Sequence, residues 1–303
     1  MKRRTLLKGA AAGTGLAWMG VPLPAQAAGA PWGICIHSNF RQSPVYSQDA
    51  RVRDNVSGIR ASYIRDYMLV SGRMGTFDQV ALWDSYRNLE IRVHGTVGAY
   101  RSPFTEAQWT SVGQTLARNA SSLFQVAGFN EPDANSVPIS QWLAPTVAHQ
   151  QRLYQLVKGN PATAHIQVGL GALRGQNPNL EADMRQLTAA ASGFYEFVNL
   201  HLYSGKNAVA AYFDKRFAMC QSIAPGVPIV VSEMGGSSAK LGLSRQAQVC
   251  TEAVQHCQLR GVTGFVYEAM DASDPAGTTV DLNFGIWESD FSPKPAATAL
   301  QGL

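Results

Sequence analysis

Charge is scarce in this sequence: only 15% of its 303 residues are Asp, Glu, Lys or Arg, while 46% are hydrophobic. That balance excludes an intrinsically disordered chain and leaves ample material for a buried core. Cysteine is also sparse, with four residues and no Cys-x-x-Cys pair, so the usual spacing of a zinc or thiol-redox site is missing. The stretch nearest to a membrane anchor, Gly9 to Val21, runs for about 13 residues, short of the roughly 20 a spanning helix needs.

Those first residues read instead as a leader that is removed. MKRRTLLK pairs Arg3 and Arg4 with Leu6 and Leu7, a Gly/Ala-rich stretch ends at Pro22 and Pro24, and Ala25-Gln26-Ala27 offers small residues for a signal peptidase. The twin arginines predict a Tat-type signal over residues 1–27, which exports a folded protein to the periplasm or beyond. The mature domain is then 28–303, with no membrane anchor after processing. Lys2, Arg3, Arg4 and Lys8 leave with the leader. Taking those four from 25 basic residues leaves as many bases as the 21 acids. A near-neutral domain has no basic footprint for nucleic acid and suits an uncharged ligand.

After the leader one unit repeats: a short β-rich run, a polar end, then an amphipathic helix. The predicted strands are Trp32–His37, Ser62–Tyr67, Ile91–Thr96, Gln125–Asn130, Ile166–Leu170, Phe197–Leu202, Pro228–Ser232 and Gly264–Glu268. Helical patterns intervene, such as Gln141–Lys158 and Ser244–Leu259, and a short last helix follows Pro295. Alternation at this spacing implies parallel strands with crossover helices. Eight units predict a (β/α)₈ TIM barrel. No Gly-x-Gly-x-x-Gly follows the first strand, which disfavours the open doubly wound alternative. Ile229 and Val231 alternating with Val230 supply branched filling for the barrel. Cys250 and Cys257 sit on one predicted helix about 10 Å apart, too far to bridge each other. Cys220 could pair with either, or all could be free core thiols.

Barrel enzymes place their chemistry where strand ends meet the following loops. Polar residues collect there: His37, Arg65 and Asp66, His94, Asn130 and Glu131, His201 and Tyr203, Glu233, and Glu268 with Asp271. Two segments stand out, VAGFNEPD at 126–133 and PIVVSEMGGSS at 228–238. They put Glu131 at the end of strand four and Glu233 at the end of strand seven. Two carboxyls across a barrel mouth are what glycoside cleavage needs, and retention of configuration sets them about 5–5.5 Å apart. Taken singly, Glu131 could be a helix cap and Glu233 a solvated loop acid.

This arrangement resembles the clan A glycoside hydrolases, whose acid/base follows Asn in an Asn-Glu-Pro motif on strand four and whose nucleophile ends strand seven. The resemblance implies Glu131 as acid/base, Asn130 against the sugar 2-hydroxyl, Glu233 as nucleophile, and Tyr203, in NLHLYS with His201, hydrogen-bonded to that nucleophile. The Ser232–Ser238 segment, YEAMD and NFGIWESDFSPKPAA look like endo-β-1,3-glucanases and related bacterial polysaccharide hydrolases. The expected substrate is therefore a β-linked polysaccharide, of the β-1,3-glucan type or a bacterial exopolysaccharide, cut internally by a monomer without cofactor or metal. His37, Arg65, His94, His201, Tyr203, Glu268 and Trp287 complete the expected substrate site, Trp287 either as a stacking platform or as core, and Arg65 alternatively as a strut. Glu268 departs from the pattern, because many clan members have Trp near that strand end.

Two other chemistries compete. His37, His94 and His201 could serve a metal-dependent hydrolase, although the paired His-x-His of that plan is missing. Double displacement with a sugar as second acceptor would give transglycosylation.

Overall fold

The computed structural model describes residues 31–98, 103–134, 137–272 and 278–303; the expected leader lies outside the described residues. Eight parallel strands form the sheet: Gly33–Cys35, Tyr63–Tyr67, Arg92–Thr96, Leu123–Ala127, Gln167–Gly169, Val198–Leu202, Ile229–Met234 and Thr263–Val266. They are numbered one to eight here, and they pair in the order five, four, three, two, one, eight, seven, six. Between strands five and six, parallel bridges join Gly169 to Phe197 and Leu173 to Leu200. Leu170 N donates to Phe197 O at 2.9 Å across the same seam. The result is the expected (β/α)₈ barrel.

Each strand is followed by a helix, from Asp49–Gly58 after strand one to Pro295–Leu300 after strand eight. Periodicity explains the helices. In Ile139–Lys158 the buried residues Trp142, Thr146, His149, Gln150, Leu153 and Val157 fall on one stripe. Glu106–Arg118 starts at a capping box in which Thr105 and Gln108 satisfy each other's backbone N–H. A small antiparallel hairpin, Arg73–Met74 with Phe77–Asp78, was not anticipated from the sequence.

The core has two layers. Ile34, Ile64, Val93, Val126, Val168, Leu200 and Val231 face outward into the shell packed under the helices. Inside the barrel a compact plug of Cys35, Phe197, Val230 and Phe265 forms the floor. Val230 therefore fills the interior, while Ile229 and Val231 serve the helix layer. Gly169 is required here, because a Cβ at that position would lie 2.1 Å from the Phe197 ring. All four cysteines are buried and free. Cys220 Sγ lies 3.5 Å from Met184 Sδ and Cys257 Sγ 3.7 Å from Met234 Sδ, so no disulfide forms at Cys220. No helix among the described residues is long and apolar enough to cross a membrane.

Candidate active site

Glu233 lies inside strand seven, not just beyond it, and a bulge aims it. Leu200 pairs with Val231 and His201 with Glu233, so Ser232 is an extra residue in the ladder. The same irregularity appears against strand eight. Such bulges redirect side chains beside functional sites. The carboxylate is 5% exposed. Arg65 Nη1 donates to its Oε1 at 2.9 Å, the Tyr203 hydroxyl donates to Oε2, and His201 Nδ1 lies 3.4 Å from Oε2. Burial by itself would raise this carboxyl. The charges of His201 and Arg65 and the Tyr203 hydrogen bond outweigh it and hold the group below the ordinary carboxylate value. Burial, followed by the charge of Glu233, pushes the Tyr203 phenol well above its ordinary value, so it stays a proton donor.

Glu131 does not cap the α-helix Ile139–Lys158, which begins eight residues on. It holds a left-handed backbone (φ +46°), uncommon for a residue with a side chain. Its N–H donates to Ala172 O at 2.8 Å, and its carbonyl accepts from Ala134 N at 2.9 Å. Its side chain is 24% exposed against 6% for Glu233, and its Oε1 is 2.7 Å from His201 Nδ1. One oxygen of Glu131 and one of Glu233 lie within 4.8 Å of each other, with His201 Nδ1 inside the same limit. Asn130 Oδ1 accepts from Arg65 Nη2 at 2.6 Å. The Asn130 amide nitrogen is thereby left as the donor toward the cleft.

Next in the motif, Asp133 is structural. Its carboxylate accepts from Arg174 N at 3.0 Å and Asn177 Nδ2 at 2.7 Å, fastening the loop after strand five. Gly175 in that loop packs so closely on strand six that a Cβ would fall 1.9 Å from the His201 carbonyl oxygen.

The cleft at these strand ends holds about 520 Å³ and is lined by His37, Asn130, Glu131, Tyr203 and Glu233 among the expected residues. Arg65 and His201 are buried against the carboxylates without lining it. Three expected substrate contacts belong elsewhere. His94 is fully buried on the barrel floor near Phe265 and Phe197, with centroids 5.2 and 6.0 Å away. Burial, then the Arg65 charge, lowers it to about 3, so it is neutral packing. Glu268 is 5% exposed and faces Tyr46 and His37 rather than the cleft. Trp287 is 3% exposed, bridged to Met270 and Pro293, and is core rather than platform. Asp271 contacts buried Lys294 and plays no part in the cleft. The sequence reading missed Phe40, Tyr67, Arg174, Tyr267 and Phe284, which also line it. Tyr67 and Tyr267 were legible as strand ends; the others sit in loops without a pattern.

Glu131, His201 and Glu233 are close enough to be considered as metal ligands. The donor set suits a cation poorly. Each Glu233 oxygen already accepts a hydrogen bond, one of them from the permanently charged Arg65, and His201 Nδ1 is engaged by Glu131.

No protein-family model and no curated protein matches the chain. Solved structures do, among them glycoside hydrolases. A family 39 glycoside hydrolase from Bacteroides cellulosilyticus WH2 superposes with a TM-score of 0.68 at 16% identity over 90% of this chain and 63% of that one. A glucosidase from Croceicoccus marinus gives 0.69 at 12% identity, over 90% and 66%. A GH5-4 broad-specificity endoglucanase from Clostridium acetobutylicum gives 0.63 at 13% identity, over 90% and 96%. The chain thus spans less than two thirds of the first of these proteins. At 12–16% identity, the likeness establishes the barrel fold alone.

Proposed function

We propose that this protein is a retaining glycoside hydrolase that cleaves a β-linked polysaccharide internally by double displacement. One observation carries the reading: two carboxyls with oxygens within 4.8 Å of each other, in opposite surroundings, at one cleft. That separation favours direct attack by one carboxylate over the roughly 6.5–9.5 Å gap that an intervening water needs. Glu233, buried and kept ionised by Arg65, is the nucleophile. Glu131, partly open to the cleft, is the acid/base.

In the first step Glu131 gives its proton to the glycosidic oxygen while Glu233 attacks the anomeric carbon. The C–O bond breaks, the aglycone leaves as an alcohol, and a glycosyl ester forms on Glu233. In the second step Glu131 takes a proton from water, whose oxygen attacks the same carbon and releases Glu233. Asn130, its carbonyl fixed by Arg65, offers its amide nitrogen to the sugar 2-hydroxyl. Tyr203 holds the nucleophile in register.

The near-neutral mature composition favours an uncharged glycan, and sequence resemblance favours a β-1,3-linked glucan or a bacterial exopolysaccharide. A screen of glucans, mannan, xylan and exopolysaccharides, read by mass spectrometry of released oligosaccharides, tests this. The reading expects internal fragments from at least one polymer and none from the Glu233→Ala protein. Action confined to the terminal sugars of aryl glycosides would count against it. The twin arginines Arg3 and Arg4, read as a Tat-type leader, favour work in the periplasm or outside. Replacing Arg3 and Arg4 by Lys should then trap the precursor, and normal delivery would refute that route.

A further inference from the structure

Three side chains beside the cleft take no part in the proposed chemistry, yet all are buried: Asp66, His37 and Glu268 are 1%, 2% and 5% exposed. Buried polar groups are costly unless something holds them. All three converge on a single turn, residues 37–40, just after strand one. The His37 carbonyl accepts from Phe40 N at 2.9 Å and closes it.

Asp66, on strand two, grips the turn. Its Oδ1 accepts from Ser38 N at 3.0 Å and its Oδ2 from the Ser38 hydroxyl at 2.5 Å. Trp83 Nε1 steadies the same oxygen at 2.8 Å. Glu268 holds the ring of the turn's first residue. Its Oε2 accepts from the Tyr46 hydroxyl at 2.9 Å and lies 2.8 Å from His37 Nε2, off the line of a good hydrogen bond. Tyr46 and Tyr267 meet the His37 ring edge-on, at 5.6 and 5.4 Å. Onto that fixed imidazole stacks Phe40, with centroids 4.9 Å apart and planes 23° from parallel. Phe40 lines the cleft and is 44% exposed, so the ring backed by His37 remains open to solvent.

We propose that Phe40 is a sugar-stacking platform, and that Glu268 and His37 are positioning residues which set its angle. The inference rests on the glycosidase reading and names the ligand more closely. An aromatic face attracts the C–H face of a pyranose, and a gluco-configured ring, with its ring hydroxyls equatorial, presents axial C–H bonds there. A ring with an axial hydroxyl on that side loses part of the contact. At strand eight, Glu268 turns away from the cleft and Trp287 is core, while Tyr267, which does line it, packs edge-on against His37, Tyr203 and Phe284.

The test uses the full mature protein. Kinetics are measured on soluble β-glucans, and binding of β-1,3-linked glucohexaose is measured by calorimetry in the Glu233→Ala background. Phe40→Ala should raise both KM for the polymer and Kd for the hexaose by roughly tenfold, with kcat changing far less. Phe40→Trp should restore both to within about twofold, an outcome a merely structural role would not give. Glu268→Ala should raise KM as well, but add little on top of Phe40→Ala, since both act through one ring. A galacto-configured hexaose should bind weakly with or without Phe40. A hydrolase indifferent to residue 40, or one that Trp fails to restore, overturns the platform and leaves the glycosidase standing. Binding through Phe40 with no hydrolysis of any glycan leaves the platform and overturns the glycosidase. No glucan binding at all overturns the platform.

Discussion

Arg65 is buried against Glu233, its Nη1 2.9 Å from the carboxylate Oε1 and its side chain 3% exposed. A permanent charge in that position compensates what burial alone would do to the acid. Because the folded value of Glu233 is depressed, its contribution to stability is present above the ordinary carboxylate value and is lost as pH falls through the lower folded one.

Arg65→Met removes that compensation, and burial then lifts the Glu233 carboxyl. The acid limb of the kcat/KM profile should move to higher pH by about one unit or more, with a loss approaching about tenfold per unit at pH values below the limb. A pH–rate profile of the two proteins decides the point. An acid limb that stays in place would show that Arg65 is only a strut.

Lys294 and Asp271 form an ion pair with side chains 1% and 3% exposed, and Lys294 Nζ also donates to Ser238 Oγ at 3.1 Å. Lys294→Met strands a buried carboxylate and should cost about 3–5 kcal/mol in denaturant unfolding near neutral pH. The double change with Asp271→Leu should recover most of that loss. Equal losses in single and double variants would assign the cost to packing.

Burial pushes the Cys220, Cys250 and Cys257 thiols up to about 12 and Cys35 higher still. Thiolates are the reactive species. A thiol reagent should therefore find almost nothing in the native protein and all four cysteines after denaturation without reductant. Two thiols instead of four would reveal a disulfide.

Much of this molecule was legible in the chain itself. The eight strands are short, mostly apolar runs alternating with amphipathic helices at even spacing, so their order and direction followed from that spacing. Glu131 and Glu233 stood out because each ends such a run. What escaped was set by tertiary context. Ser232 looks like any strand residue, yet its bulge decides where Glu233 points. His94 and Trp287 resemble site residues in composition, but their depth comes from the barrel floor and the closing loop. Phe40 lies in an irregular loop whose shape depends on Asp66, 26 positions on, so no periodicity marks it.

The most direct test is to find where the sugar becomes attached. A 2-deoxy-2-fluoro glycoside with a dinitrophenolate leaving group slows both steps, yet still reacts without an acid catalyst, and so lets the ester accumulate. Incubated with the Glu131→Ala protein and digested, it should add one glycosyl mass to the peptide carrying Glu233, and azide should release that label as a glycosyl azide. A label on another residue, or product of inverted configuration with no label anywhere, would contradict Glu233 as the nucleophile of a double displacement.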